Sequence, residues 1–178
     1  DRLWVADFTY CSTWSGWCYS AFVIDAYARR ILGWSVATTM TSQLVVDAVE
    51  QAVWTRGREG KDLTGLIAHH DHGVQYMSVA YSERLDAAGI KPSTGAVGSS
   101  YDNALAESVI GLYKTECIRT TVFHAGAYRN LADVEFATAG WVDWYNNRRL
   151  HSSLGMLTPI EFETLHDEAL TREPEPAK

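Results

Sequence analysis

Three carboxylates stand where a carboxylate needs a reason. Asp7 lies inside LWVADFTY, Asp71 closes the apolar run GLIAHHD, and Glu107 falls within YDNALAESVIGLYKTE. Alternate residues of a strand share a face, so Leu3, Val5, Asp7 and Thr9 form one row. An acid in such a row is costly unless it is paired, bound to a cation or set on an edge facing solvent. Asp71 ends a strand-like run, where α/β sheets commonly place ligand sites, although an ordinary turn Asp fits there too. On a helix, Glu107 and Lys114 share one face while Leu105, Val109 and Leu112 take the opposite side. A solvated Glu–Lys face is the plain alternative, with Asp102 or Asn103 as the helix cap.

Together the three have a sharper meaning than any one alone. Two strand-borne aspartates followed by a helix-borne glutamate suit a two-metal phosphodiester enzyme. Mg²⁺ and Mn²⁺ are hard ions that take oxygen ligands. Two of them held roughly 3.5–4 Å apart activate an attacking oxygen and stabilise a leaving one. The expected cofactor is therefore two Mg²⁺ or Mn²⁺ ions, with Asp7, Asp71 and Glu107 as catalytic and metal-binding residues and Asp7 shared between the ions. His69, His70 and His72 raise zinc as a competitor. Consecutive strand residues point to opposite faces, however, and no second His or Cys cluster completes a closed site.

The elements that must position these groups follow from periodicity. Residues 3–11, 17–27 and 30–39 are rich in aromatic and β-branched side chains and separated by short turns, which predicts an antiparallel meander. Leu44, Val45, Ala48, Ala52 and Val53 recur at helical spacing between Gln43 and Arg56. LTGLIAHHD predicts a short buried strand, Ser78 to Ala88 a helix stopped by Gly89, and Ile90 to Ser93 a brief strand. TGAVGSS has the composition of a loop. Helices are expected from about Asp102 to Arg119 and from about Tyr128 to Arg149, the second with Leu131, Val134, Thr138, Trp141 and Tyr145 on one stripe. Pro159 should open a short final helix. The fold class is thus α/β, with a mixed five-stranded sheet flanked by helices. Residues 1–165 form one domain, and residues 166–178 are expected to be a disordered acidic tail containing proline.

Composition constrains the partners. The chain has 178 residues and a net charge of −7; residues 161–178 carry −4 of it and the other 160 residues −3. Three acids neutralised by metal would leave the core about neutral, so charge alone does not announce DNA. No apolar run approaches the ~18–20 residues of a membrane span. Cys11, Cys18 and Cys117 have no CxxC spacing and are read as reduced thiols in a cytoplasmic protein.

The motif blocks also resemble a known family. WVADFTY, HHDHGVQY and YDNALAESVIGLYKTE are similar to the three blocks of bacterial insertion-sequence transposases made by frameshifting between two reading frames, relatives of the retroviral integrases. Between Asp71 and Glu107 lie 35 residues, the spacing of that family's D,D(35)E signature. WYNNRRLHSSLGMLTPIEF is similar to its closing motif, and the likeness runs from Leu3 to about Phe162. It implies an RNase H-like fold, Asp7, Asp71 and Glu107 as the metal-binding triad, and Lys114 as a grip on DNA. The activity implied is divalent-metal-dependent DNA cleavage and 3′-OH strand transfer. Its partners would be transposon ends and target DNA, with a homo-oligomer assembled on DNA, in the cytoplasm and associated with the nucleoid. Arg148 and Arg149 are further candidates for phosphate contacts, and Tyr145, Asn146 and His151 could line the same surface. Family members carry a helix-turn-helix region ahead of the core; the residues from Asp1 onward resemble the core alone, so their recognition of specific ends is expected to be weak. Two alternatives stay open: a hydrolytic nuclease or resolvase of the same fold, and a non-catalytic DNA-binding or assembly module.

Overall fold

Strand-forming residues between positions 3 and 37 build three antiparallel strands, β1 (Leu3–Thr13), β2 (Gly16–Asp25) and β3 (Ile31–Ala37). Two shorter strands, β4 (Ile67–His70) and β5 (Lys91–Thr94), add in parallel on the other side of β1, giving the order β3-β2-β1-β4-β5. The computed structural model describes residues 2–70, 73, 75–94 and 100–171. Asp71, the TGAVGSS residues 95–99 and the tail residues 172–178 lie outside them.

Both faces of the sheet are covered, so its central strands carry little polar alternation. On one face, Trp4, Ala6, Ala21 and Val23 pack with α1 (Ser42–Arg58) and α2 (Val79–Ala87). On the other, Val5, Cys11, Phe22 and Ile24 pack with α3 (Ser100–Leu112) and α4 (Leu131–Asn147). Gly33 allows α1 to lie close on β3: a Cβ there would stand 2.0 Å from the Ala48 carbonyl oxygen.

Several boundaries differ from those expected. α3 begins at Ser100, which puts Asp102 and Asn103 inside its first turn rather than at the cap, and it continues as a π-helical segment, Tyr113–Ile118. Its core-facing stripe is Ala106, Val109, Tyr113 and Cys117, while Leu105 and Leu112 are only partly buried. Tyr113 draws the helix to this rotation. Its hydroxyl lies 3.1 Å from Ser20 Oγ and 2.8 Å from Thr138 Oγ1, and its ring meets Phe22. α4 starts at Leu131, not Tyr128, because Asn130 caps it by accepting from the Asp133 N–H. Residues 128 and 129 serve another purpose: their carbonyls accept hydrogen bonds from Trp14 and Ser15 in the β1–β2 turn.

The last helix is longer than the sequence suggested. α5 runs Pro159–Thr171, so 166–171 belong to the fold and not to a tail. Charge pairs hold it down. Arg56, fully buried on α1, reaches Glu163 at 2.5 Å, Glu59 at 2.9 Å and Asp25 at 3.7 Å, and Lys61 pairs with Asp167 at 2.5 Å. Arg30 adds a second guanidinium to Glu163 at 2.6 Å. A buried guanidinium is tolerable only with such partners. No helix among the described residues is long and apolar enough to cross a membrane.

Candidate active site

Asp7 sits where β1 outruns β4. The parallel ladder closes at the pair Ala6–His70. Asp7 is the next residue of β1, half-buried, with Phe22 opposite it on β2. Its Oδ1 accepts from the Phe8 N–H at 2.7 Å. The row read from the sequence holds: Leu3, Val5 and Cys11 all pack into the layer of α3 and α4, so Asp7 belongs to the face toward α3.

Glu107 reaches this region from α3, which packs across β1. Its neighbours Ala106 and Val109 are in the core cluster with Val5 and Phe22, while the Glu107 side chain is solvent-exposed. The following segment is locked by the hydroxyl chain Ser20–Tyr113–Thr138, in which Thr138 also donates to the Val134 carbonyl at 2.7 Å. Burial raises the Tyr113 pKa well above the ordinary phenol range, so the hydroxyl stays neutral. Asp71 follows His70 in the chain and lies outside the described residues.

His69 and His70 are occupied with packing, and His72 lies outside the described residues. His70 is buried and stacks on Tyr76 at 4.8 Å with the Tyr81 ring edge-on at 5.3 Å. His69, also buried, has its Nδ1 3.4 Å from Ser93 Oγ. Among the described residues no group of three His, Cys, Asp or Glu side chains gathers as a metal-binding cluster. Asp7 and Glu107 supply oxygen donors only, which suits hard divalent ions better than zinc.

The expected DNA-contacting residues divide by exposure. Lys114, on the π-helical segment, has its ammonium 5.3 Å from the centre of the Tyr10 ring. Arg148 is exposed and lies 3.2 Å from Asp143. Arg149 grips Glu116 with two nitrogens, at 2.9 Å through Nε and 2.7 Å through Nη2. Tyr145, Asn146 and His151 are buried and present no open surface. Asn146 uses its amide to accept from the Ile31 N–H at 3.0 Å and donate to the Ile31 carbonyl at 2.8 Å, fastening α4 to β3. His151 lies against the Tyr145 ring with Nε2 3.3 Å from the Tyr145 carbonyl, and burial lowers its pKa. The WYNNRRLH block is in these positions a structural knot.

Sequence reading missed two features. Arg56 falls four residues after Ala52, on the buried stripe of α1, a spacing that could have flagged a buried cation. Tyr10 and Trp17 were read only as strand formers and Trp14 was given no role, yet all three are exposed at the end of the first hairpin.

Comparison with known proteins agrees with this geometry. The integrase core domain family matches residues 1–100, and a second integrase core domain family matches residues 88–159. A Mycobacterium tuberculosis protein designated a transposase for insertion sequence element IS986/IS6110 is 59% identical over 167 residues, covering 93% of this chain and 59% of that protein. The transposase for insertion sequence element IS629 of Shigella sonnei is 52% identical over 163 residues, covering 92% of this chain and 52% of its own length. The chain thus spans between half and three-fifths of these relatives. Among solved structures, the HTLV-2 integrase catalytic core domain in complex with magnesium (trimeric form) superposes with a TM-score of 0.63 at 16% identity, over 90% of this chain and 95% of that one. A chain of the simian T-cell lymphotropic virus intasome in complex with PP2A regulatory subunit B56 gamma gives 0.73 at 13% identity, over 99% and 56%. These two share the fold, the RNase H-like architecture of retroviral integrase cores.

Proposed function

The chain belongs to the integrase core domain family, and from that premise we propose that it is the catalytic core of a DDE transposase, cutting and joining DNA with Asp7, Asp71 and Glu107. The observation that carries this reading is the Ala6–His70 pair that closes the parallel ladder. The residue after each partner is an aspartate, and the helix packed across β1 carries Glu107.

The three carboxylates would hold two Mg²⁺ or Mn²⁺ ions, with Asp7 as the shared ligand. Bound there, the ions supply Lewis-acid activation of the attacking oxygen and stabilisation of the leaving one. The reaction balances without another cofactor. Water adds to phosphorus, the P–O3′ bond breaks, and the strand leaves as a 3′-OH. That 3′-OH then adds to a second phosphodiester, forming one P–O bond as another breaks. The chain's own contribution is positioning: β1 fixes Asp7, and the Tyr113 knot fixes the helix that carries Glu107. Lys114 and Arg148 supply cationic contacts to DNA phosphates, while Arg149 is held by Glu116. Partners are transposon ends and target DNA, engaged by more than one copy of the chain.

Mn²⁺ binding followed by electron paramagnetic resonance tests the site. Wild-type protein should bind Mn²⁺, and Asp7→Asn, Asp71→Asn and Glu107→Gln should each bind it at least roughly tenfold more weakly, as expected when one carboxylate is removed from such a site. Equal binding by wild type and all three variants would overturn the assignment.

A further inference from the structure

We propose that the exposed end of the β1–β2 hairpin, together with the π-helical segment, forms a groove for unpaired single-stranded DNA. The inference rests on the DNA-processing reading above and adds a site to it.

The groove is a cleft of about 470 Å³ at the far end of β1, beyond the end of β4. One wall is aromatic. Trp14 is 78% exposed, and Tyr10 and Trp17 are each 55% exposed. Tyr10 and Trp17 pack edge to face with centroids 5.2 Å apart, and the Lys114 ammonium stands 5.3 Å from the centre of the Tyr10 ring. Lys114 and Arg119 also line the cleft. Neither makes a salt bridge among the described residues, and none of the groove-lining residues is an acid.

The walls are preorganised. Trp14 N–H donates to the Tyr128 carbonyl and Ser15 N–H to the Arg129 carbonyl, both at 3.0 Å. The Tyr128 hydroxyl donates to the Cys117 carbonyl at 3.0 Å, tying the hairpin tip to the π-helical segment. Three large aromatic rings remain in water although the surrounding backbone is fixed.

Exposed aromatic rings beside cations that make no salt bridge suit one kind of ligand best. In a single strand each base shows a π-face that can stack on tryptophan or tyrosine, and its phosphates pair with Lys and Arg. A duplex hides those faces. An apolar protein surface would cover the rings but would strip water from Lys114 and Arg119 without supplying an anion. Position agrees. Tyr10 is three residues beyond Asp7 on β1, roughly 10 Å away and on the other face of the strand. Lys114, seven beyond Glu107 and roughly 10 Å along the helix, stands 5.3 Å from the Tyr10 ring and links the two sides where β1 outruns β4. The groove therefore takes nucleotides that leave the reacting phosphate as an open strand.

The test compares a fluorescein-labelled oligothymidylate of eight nucleotides with a blunt duplex of the same length. Binding is read by anisotropy and by quenching of tryptophan emission at low salt. Wild type should prefer the single strand, and Trp14→Ala/Trp17→Ala should weaken single-strand binding by roughly tenfold or more while changing duplex binding far less. Arg119→Gln should weaken the single-strand complex and reduce its salt dependence. Matching melting temperatures for these surface variants would show that folding is not the cause. Absence of single-strand binding by wild type, or equal binding by the double variant, would overturn the groove. So would concentration-dependent self-association that buries the two tryptophans. The Asp7→Asn variant separates the two proposals: loss of Mn²⁺ binding with single-strand affinity retained supports both. A groove that fails while Mn²⁺ binding persists leaves the catalytic reading standing.

Discussion

The Phe22 and Tyr113 rings meet edge to face with centroids 4.9 Å apart, and through them the strand pair that carries Asp7 is fixed to the helix that carries Glu107. Phe22 is the cross-strand partner of Asp7, and Tyr113 begins the π-helical segment that follows α3. Trp141 closes the cluster at 6.0 Å from Phe22 and 5.2 Å from Tyr113. Two carboxylates on different elements therefore share one aromatic hinge point.

Tyr113→Phe keeps the ring and deletes the hydroxyl between Ser20 and Thr138. Leaving a buried hydroxyl without its partner costs about 1–3 kcal/mol. The urea midpoint should fall by that free energy divided by the slope m, with m itself unchanged. An unchanged midpoint would show that the hydroxyl chain does not hold the helix.

Gly33→Ala should damage the packing of α1 on β3. The added methyl meets the Ala48 carbonyl oxygen at 2.0 Å and the Ala52 nitrogen at 2.7 Å, both backbone atoms that cannot swing away. Overpacking of this kind costs about 1–3 kcal/mol or more. Thermal denaturation should show a clear drop, and a neutral result would mean that helix and strand can separate freely.

The Arg56 cluster ties stability to pH. Burial pushes the Glu163 carboxyl up, but the hydrogen bond and charge of Arg56, helped by Arg30, more than reverse this and leave its pKa below the ordinary 4.5. A depressed carboxylate contributes stability that is complete above its unfolded pKa and is lost as pH falls through the folded one. Asp25 runs the other way: burial raises its pKa despite the Ala28 N–H and Arg56, so acid relieves part of its cost. Glu163→Gln should therefore destabilise the protein near neutral pH and flatten the loss of stability below about pH 4.5, where the carboxylate matters less. Equal acid sensitivity in wild type and variant would contradict the cluster's role.

Arg148 and Arg149 are adjacent yet should behave differently. Arg149 holds Glu116 bidentately, whereas Arg148 is 70% exposed beside Asp143. Arg148→Gln should leave the melting temperature unchanged and lower the salt slope of DNA binding by about one. Arg149→Gln should destabilise the fold by about 1–3 kcal/mol, as expected for a charged partner left behind. The reverse pattern would exchange their assigned roles.

Much of the scaffold could be read from the sequence because its signals are local. Alternation placed Asp7 in one row with Leu3 and Val5, the row that the structure turns toward α3, and the 3.6-residue period found the buried row Val134, Thr138, Trp141 and Tyr145. What escaped depended on distant partners. Tyr113 takes the core position from Leu112 because Ser20 and Thr138 lie on other elements. The last helix extends to Thr171 because Lys61 and Tyr27 meet Asp167 and His166 from far along the chain. Tyr145, Asn146 and His151 were placed on a DNA surface because polar and aromatic types in a motif suggest contact. Only the packing of α4 on β3 shows that they are buried.

The catalytic reading is tested most directly by Mn²⁺-dependent cleavage and strand joining on labelled, pre-nicked DNA ends, with wild type set beside Asp71→Asn and Glu107→Gln. Joining by the wild-type chain, abolished in both variants, is the expected result. Cleavage without joining would contradict the transposase reading in favour of a hydrolytic nuclease, and joining that survives in either variant would remove that carboxylate from the site.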